Sequence, residues 1–67
     1  MVELYKKLGE YDIELDIHTY KETVYFTFRK DGFVHSCPVH IDLIELAPDK
    51  AEWGLLLHLD TFVDTLK

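Results

Sequence analysis

The sequence predicts an α+β fold: a three-stranded antiparallel β-meander packed against one long C-terminal α-helix, with room for a short N-terminal helix. Three observations lead there. Two consecutive stretches alternate apolar and polar residues with the period of two that marks a half-buried strand. An Asp31-Gly32 dipeptide separates the second stretch from a third. A later segment, free of proline after Pro48, carries its apolar residues at helical spacing.

The first strand is expected from Tyr11 to Thr19, where Tyr11, Ile13, Leu15 and Ile17 alternate with Asp12, Glu14, Asp16 and His18. The second runs from Thr23 to Lys30, with Val24, Phe26 and Phe28 on the apolar side and Tyr25, Thr27 and Arg29 on the other. Asp31-Gly32 favours a type I′ turn, because both central residues need positive φ, which Gly adopts freely and Asp tolerates. Counting outward from that turn sets Phe28 opposite His35, Phe26 opposite Cys37 and Val24 opposite Val39 in a third strand that starts at Phe33. A two-residue Lys21-Glu22 loop then sets Ile17 opposite Phe26, Leu15 opposite Phe28 and Glu14 opposite Arg29. Both hairpins place the same residues of the middle strand in the core. A one-residue slip in either would break that parity.

A helix from Asp49 to Leu66 is expected to cover the apolar sheet face. Asp49 and Glu52 have capping-box spacing. At ~100° per residue, Ala51, Leu55, Leu56, Leu59, Phe62, Val63 and Leu66 form one stripe, whereas Trp53 and Leu57 fall outside it beside Asp60 and Asp64. Gly54 costs about 1 kcal/mol relative to Ala in a helix, which calls for a close contact there. Val2 to Leu8, with Gly9 as a candidate C′ residue, reads either as a short helix or as an extended arm. Ile41 to Leu46 reads either as more of the third strand or as a short helix.

Sixty-seven residues make one domain, residues 1–67. A core this small gives only a few kcal/mol of net stability, which leaves a homodimer open. The N-terminus lacks a signal peptide's apolar run, no stretch reaches transmembrane length, and one cysteine permits no internal disulfide. A cytoplasmic location is therefore expected. Seven basic against thirteen acidic residues give a net charge of −6, which argues against direct nucleic-acid binding. The double-stranded-RNA-binding domain has a similar length and a comparable helix and strand order, but where it carries a lysine cluster this chain reads Asp49-Lys50-Ala51-Glu52; the resemblance is not drawn.

No motif carries a specific chemistry. His35 or His40 with Cys37 lacks an oxyanion loop, and the paired carboxylates lie on an open strand rather than in a cleft, so no catalytic residue is assigned. His35, Cys37, His40 and His58 are zinc-type ligands, yet His-x-Cys-x-x-His is not a common zinc spacing and His40 has the wrong strand parity. No metal or cofactor is assigned. Two surfaces remain. Asp12, Glu14 and Asp16 form an acidic stripe on an edge strand, which reads either as a guard against edge-to-edge pairing or as a surface for a basic protein. Same-face residues repeat every ~6.6 Å, half as dense as the ~3.4 Å charge spacing of a DNA strand, so imitation of nucleic acid needs further acids. Trp53 and Leu57, rimmed by Asp60 and Asp64, read as an aromatic-anchored interface unless the N-terminal arm covers them. The expected function is a small acidic, non-catalytic protein-binding protein. By size and charge, the expectation narrows to an inhibitor or adaptor of the phage or mobile-element kind that occupies a basic nucleic-acid-binding surface of a host protein. The alternative is a self-associating module whose acidic face only serves solubility.

Overall fold

Alternating apolar residues between Ile13 and Val39 build one open antiparallel sheet. In the computed structural model, which describes residues 1–67, β1 (Glu14–Tyr20), β2 (Thr23–Lys30) and β3 (Phe33–His40) pair in the order β1-β2-β3. The register is the one counted from the two turns: Ile17 faces Phe26, Leu15 faces Phe28 and Glu14 faces Arg29. On the other side Phe28 faces His35, Phe26 faces Cys37 and Val24 faces Val39. Asp31 and Gly32 both have positive φ, 52° and 84°, as a type I′ turn requires. The Lys21-Glu22 turn has positive φ at Lys21 alone, 56°. Thr27 and Ser36, paired across β2 and β3, share a hydroxyl hydrogen bond of 3.1 Å on the outer face.

The N-terminal segment is helical. Helix α1 (Val2–Tyr11) ends at Asp12, whose φ of 55° and ψ of 48° are left-handed. The Asp12 N–H donates to Gly9 O at 3.3 Å and the Ile13 N–H to Leu8 O at 3.0 Å, the paired bonds of a Schellman ending. This corrects the expected helix end at Gly9 in two respects, and with it the start of the first strand. Gly9 lies within the helix, and Asp rather than Gly takes the left-handed position, which a short polar side chain tolerates. Because the helix runs to Tyr11, Asp12 is its cap and β1 begins only at Glu14.

After β3, residues Ile41–Leu46 form the short helix α2; His40 Nδ1 accepts the Asp42 N–H at 3.1 Å and caps it. Helix α3 (Pro48–Leu66) follows with Ala47 at the N-cap and Pro48 in its first turn, so Asp49 is not the capping residue. Pro suits that place because its missing N–H would be unpaired there anyway. Glu52 serves another helix instead: its carboxylate accepts the Leu4 N–H at 3.3 Å and lies 3.7 Å from the Met1 ammonium.

Helix α3 lies over β2 and β3, and α1 packs beside it. Ala51, Leu55, Leu59 and Phe62 are buried along the expected stripe, with Leu56, Val63 and Leu66 partly buried around them. Leu55, Leu59 and Phe62 meet Val24, Phe26, Phe28 and Cys37 from the sheet, Leu4 and Leu8 from α1, and Ile13 just before β1 in one apolar core. No polar side chain is buried without a partner. Ile17 departs from expectation. Its register is inward, yet it stays 52% exposed, because α3 crosses the two later strands and leaves the far half of β1 uncovered. No helix is long and apolar enough to cross a membrane.

Candidate functional site

Acidic residues on the outer sheet face come to a less uniform surface than alternation alone implied. Asp12 lies outside the strand at the end of α1, and only Glu14 and Asp16 share the outer face of β1. Asp16 Oδ2 is 2.8 Å from Arg29 Nη2, so the cross-strand arginine pairs with its diagonal neighbour rather than with Glu14 directly opposite. Asp12, Glu14, Arg29 and Lys30 line one open depression of about 570 Å³ at this end of the sheet. The Lys30 ammonium donates to the Tyr11 carbonyl across it. Two cations therefore sit among the acids, and the local field is mixed in sign.

On the opposite layer, Trp53 is 65% exposed and Leu57 49% exposed. One turn separates them on α3, so their side chains share a face. Helix α1 leaves them exposed: besides the core packing of Leu4 and Leu8, its polar contacts with α3 run through Glu52 and through Lys7 Nζ, 3.6 Å from Asp60 Oδ1. Asp64 lies 3.7 Å from the Lys67 ammonium. Trp53, Leu57, Asp60 and Asp64 thus sit together on the outer helix, while Glu14 and Asp16 face away from them on the far side of the sheet. The seven residues belong to two surfaces, not one.

A third constellation lies at the border between the layers. His35 Nε2 and His58 Nδ1 are 3.2 Å apart, and with Cys37 Sγ they form a group whose ligand atoms all lie within 4.8 Å of one another. His35 and Cys37 share the inner face of β3 as i and i+2 residues, and His58 comes from α3. His40 stands apart, with its ring on Glu22 at 3.4 Å and on the start of α2. Of the four zinc-type side chains in the sequence, His40 is the one left out, and the third neighbour, His58, is supplied by the other layer. Its signal was the place of His58 at the margin of the apolar stripe, where a side chain reaches the sheet. Burial pushes the Cys37 thiol up to about 11, so at neutral pH it is a protonated core thiol and a poor nucleophile. A shallow cavity of about 210 Å³ opens beside it, between His40 and Leu43 on one side and Lys50, Gly54 and His58 on the other.

Comparison with protein-family models, with curated proteins and with solved structures finds no match to this chain.

Proposed function

We propose that this chain is a non-catalytic protein-binding domain of the inhibitor or adaptor class that engages its partner through the outer face of α3. The observation that carries the reading is Trp53, 65% exposed on a helix whose other face is buried in the core. A tryptophan held on a rigid helix loses little freedom on docking and supplies a large contact area, which is why it is enriched among residues that dominate binding energy. Leu57 extends the apolar contact, and Asp60 and Asp64 form its rim. A net charge of −6 favours a basic partner by steering its approach. The narrower reading, occupation of a host protein's nucleic-acid-binding surface, rests on size and charge. Glu14 and Asp16 then act at a distance as part of the field rather than at the contact.

The test is capture of partners from lysate at low and raised salt by wild type, by Trp53→Ala and by a variant carrying Asp12→Asn, Glu14→Gln and Asp16→Asn. Loss of a basic partner with Trp53→Ala, while circular dichroism and melting are unchanged, supports the helix-face reading. Recovery by Trp53→Ala equal to wild type overturns it. Self-association is the second reading, favoured by a core of 11 buried residues out of 67 beside ten large apolar side chains left exposed. In that case sedimentation shows a dimer whose dissociation follows concentration rather than salt, and Trp53→Ala shifts it to monomer.

A further inference from the structure

We propose that His35, Cys37 and His58 form a binding site for one Zn²⁺ ion, held by His35 Nε2, Cys37 Sγ and His58 Nδ1, with a fourth position open toward the cavity beside Cys37. The spacing supports it. Zn–N bonds of ~2.0–2.1 Å meeting at the tetrahedral angle put two nitrogens ~3.3 Å apart, and a Zn–S bond of ~2.3 Å puts sulfur ~3.6 Å from each nitrogen. The two ring nitrogens already stand 3.2 Å apart. With all three ligand atoms within 4.8 Å of one another, the sulfur stands at most about 1 Å beyond the ~3.6 Å that a shared ion requires.

The donor set excludes hard cations and suits a borderline ion such as Zn²⁺. Two imidazoles and one thiolate suit Zn²⁺, and the group contains no carboxylate to serve Mg²⁺ or Ca²⁺, which take oxygen ligands. The surroundings leave the fourth position accessible. Gly54, one turn before His58, has nothing within 4 Å of where a Cβ would stand, and the cavity of about 210 Å³ reaches both Cys37 and His58. Water or a partner's side chain completes the tetrahedron from there. The exchange balances simply: Zn²⁺ replaces the thiol proton of Cys37, which goes to solvent, and both imidazoles bind in their neutral form.

The consequence is a clamp. Two ligands lie on β3 and one on α3, so the ion ties the helix layer to the sheet at the edge of the core. Binding to the folded state alone raises stability by mass action, which matters for a chain too small to rely on its core. The site is independent of Trp53 and Leu57.

The experiment uses the full chain stripped with chelator, then titrated with Zn²⁺ by calorimetry and followed by melting temperature, and with Co²⁺ by absorption. Wild type is expected to bind one ion per chain, to melt higher with Zn²⁺ and to show a thiolate-to-cobalt charge-transfer band. His58→Gln, at an exposed position, should fold and melt like metal-free wild type but lose affinity at least ~100-fold, since even outer-shell changes cost 10–100-fold. His40→Gln should keep both affinity and the melting shift. Absence of a melting shift and of the charge-transfer band in wild type overturns the proposal and leaves the 3.2 Å contact as a neutral imidazole hydrogen bond. Equal affinity in His58→Gln overturns it as well.

Discussion

Glu52 on α3 accepts the backbone N–H of Leu4 on α1 at 3.3 Å. That N–H is one of the first in its helix and has no partner within it, so a side chain from another element caps α1 and fixes it against α3. Leu4 is fully buried, and its position depends on this bond as well as on packing. Glu52→Ala should therefore lower stability by about 1–2 kcal/mol, the cost of leaving a partly buried donor unpaired. Glu52→Gln should cost less, because the amide oxygen still accepts. The check is a urea titration of the three proteins, with the midpoint falling from wild type through Glu52→Gln to Glu52→Ala and the slope unchanged.

Glycines at two positions should respond with opposite sign. Gly54 sits inside α3 with open space where a Cβ would be, contrary to the close contact its helical setting seemed to demand. Gly54→Ala should stabilise the fold by about 0.5–1 kcal/mol through helix propensity and reduced freedom of the unfolded chain. Gly32 has φ of 84° at the β2–β3 turn, where an L side chain is strained. Gly32→Ala should destabilise by roughly 1 kcal/mol or more. Melting curves of the two variants displaced to either side of wild type would bear this out; a loss in Gly54→Ala would point to a hidden contact.

Burial lifts the Cys37 thiol from 9.0 to about 11. The sign follows from proton counting. Between those values the unfolded chain has released its thiol proton and the folded chain retains it, so unfolding releases a proton and stability falls as pH rises. The contribution is complete below about pH 9 and lost through about pH 11. Metal-free Cys37→Ala should lack this part of the alkaline decline. Denaturant midpoints of both proteins across that range measure it, and parallel profiles would contradict it. Alkylation of Cys37 at neutral pH should likewise proceed only at the rate of transient opening.

Period and turn chemistry made the sheet legible, because Asp31-Gly32 fixes one hairpin and the apolar residues of β2 fix the parity of both. The buried stripe of α3 was legible for the same kind of reason. The boundaries were less so. Tyr11 and Asp12 continue the alternation of β1 by chance, yet Leu4 and Leu8 at i and i+4 draw the preceding segment into a helix that runs through Tyr11. The capping-box spacing of Asp49 and Glu52 is real in sequence but loses to Pro48, which starts the helix earlier. The candidate sites divide along the same line. Trp53 and Leu57 follow from the phase of one helix, whereas the meeting of His58 with His35 depends on how that helix is seated on the sheet, which no local pattern encodes.

Arg29 offers a last check on how the outer sheet face is wired. Direct pairing places Glu14 across from it, but its guanidinium reaches Asp16 at 2.8 Å, one step along the neighbouring strand. Diagonal neighbours on a sheet face remain within reach of a long side chain, and Asp12 and Lys30 line the same depression as Arg29. Asp16→Asn should cost about 0.2–1 kcal/mol at low salt, as exposed ion pairs do, and the cost should fade in ~1 M salt, where the screening length is ~3 Å. Glu14→Gln should leave stability within about 0.5 kcal/mol of wild type, as surface changes away from such pairs do. A double-mutant cycle between Asp16→Asn and Arg29→Gln isolates the coupling. Coupling of Arg29 to Glu14 rather than to Asp16 would return the pair to direct opposition, and would leave Asp16 as the unpaired charge available to a partner.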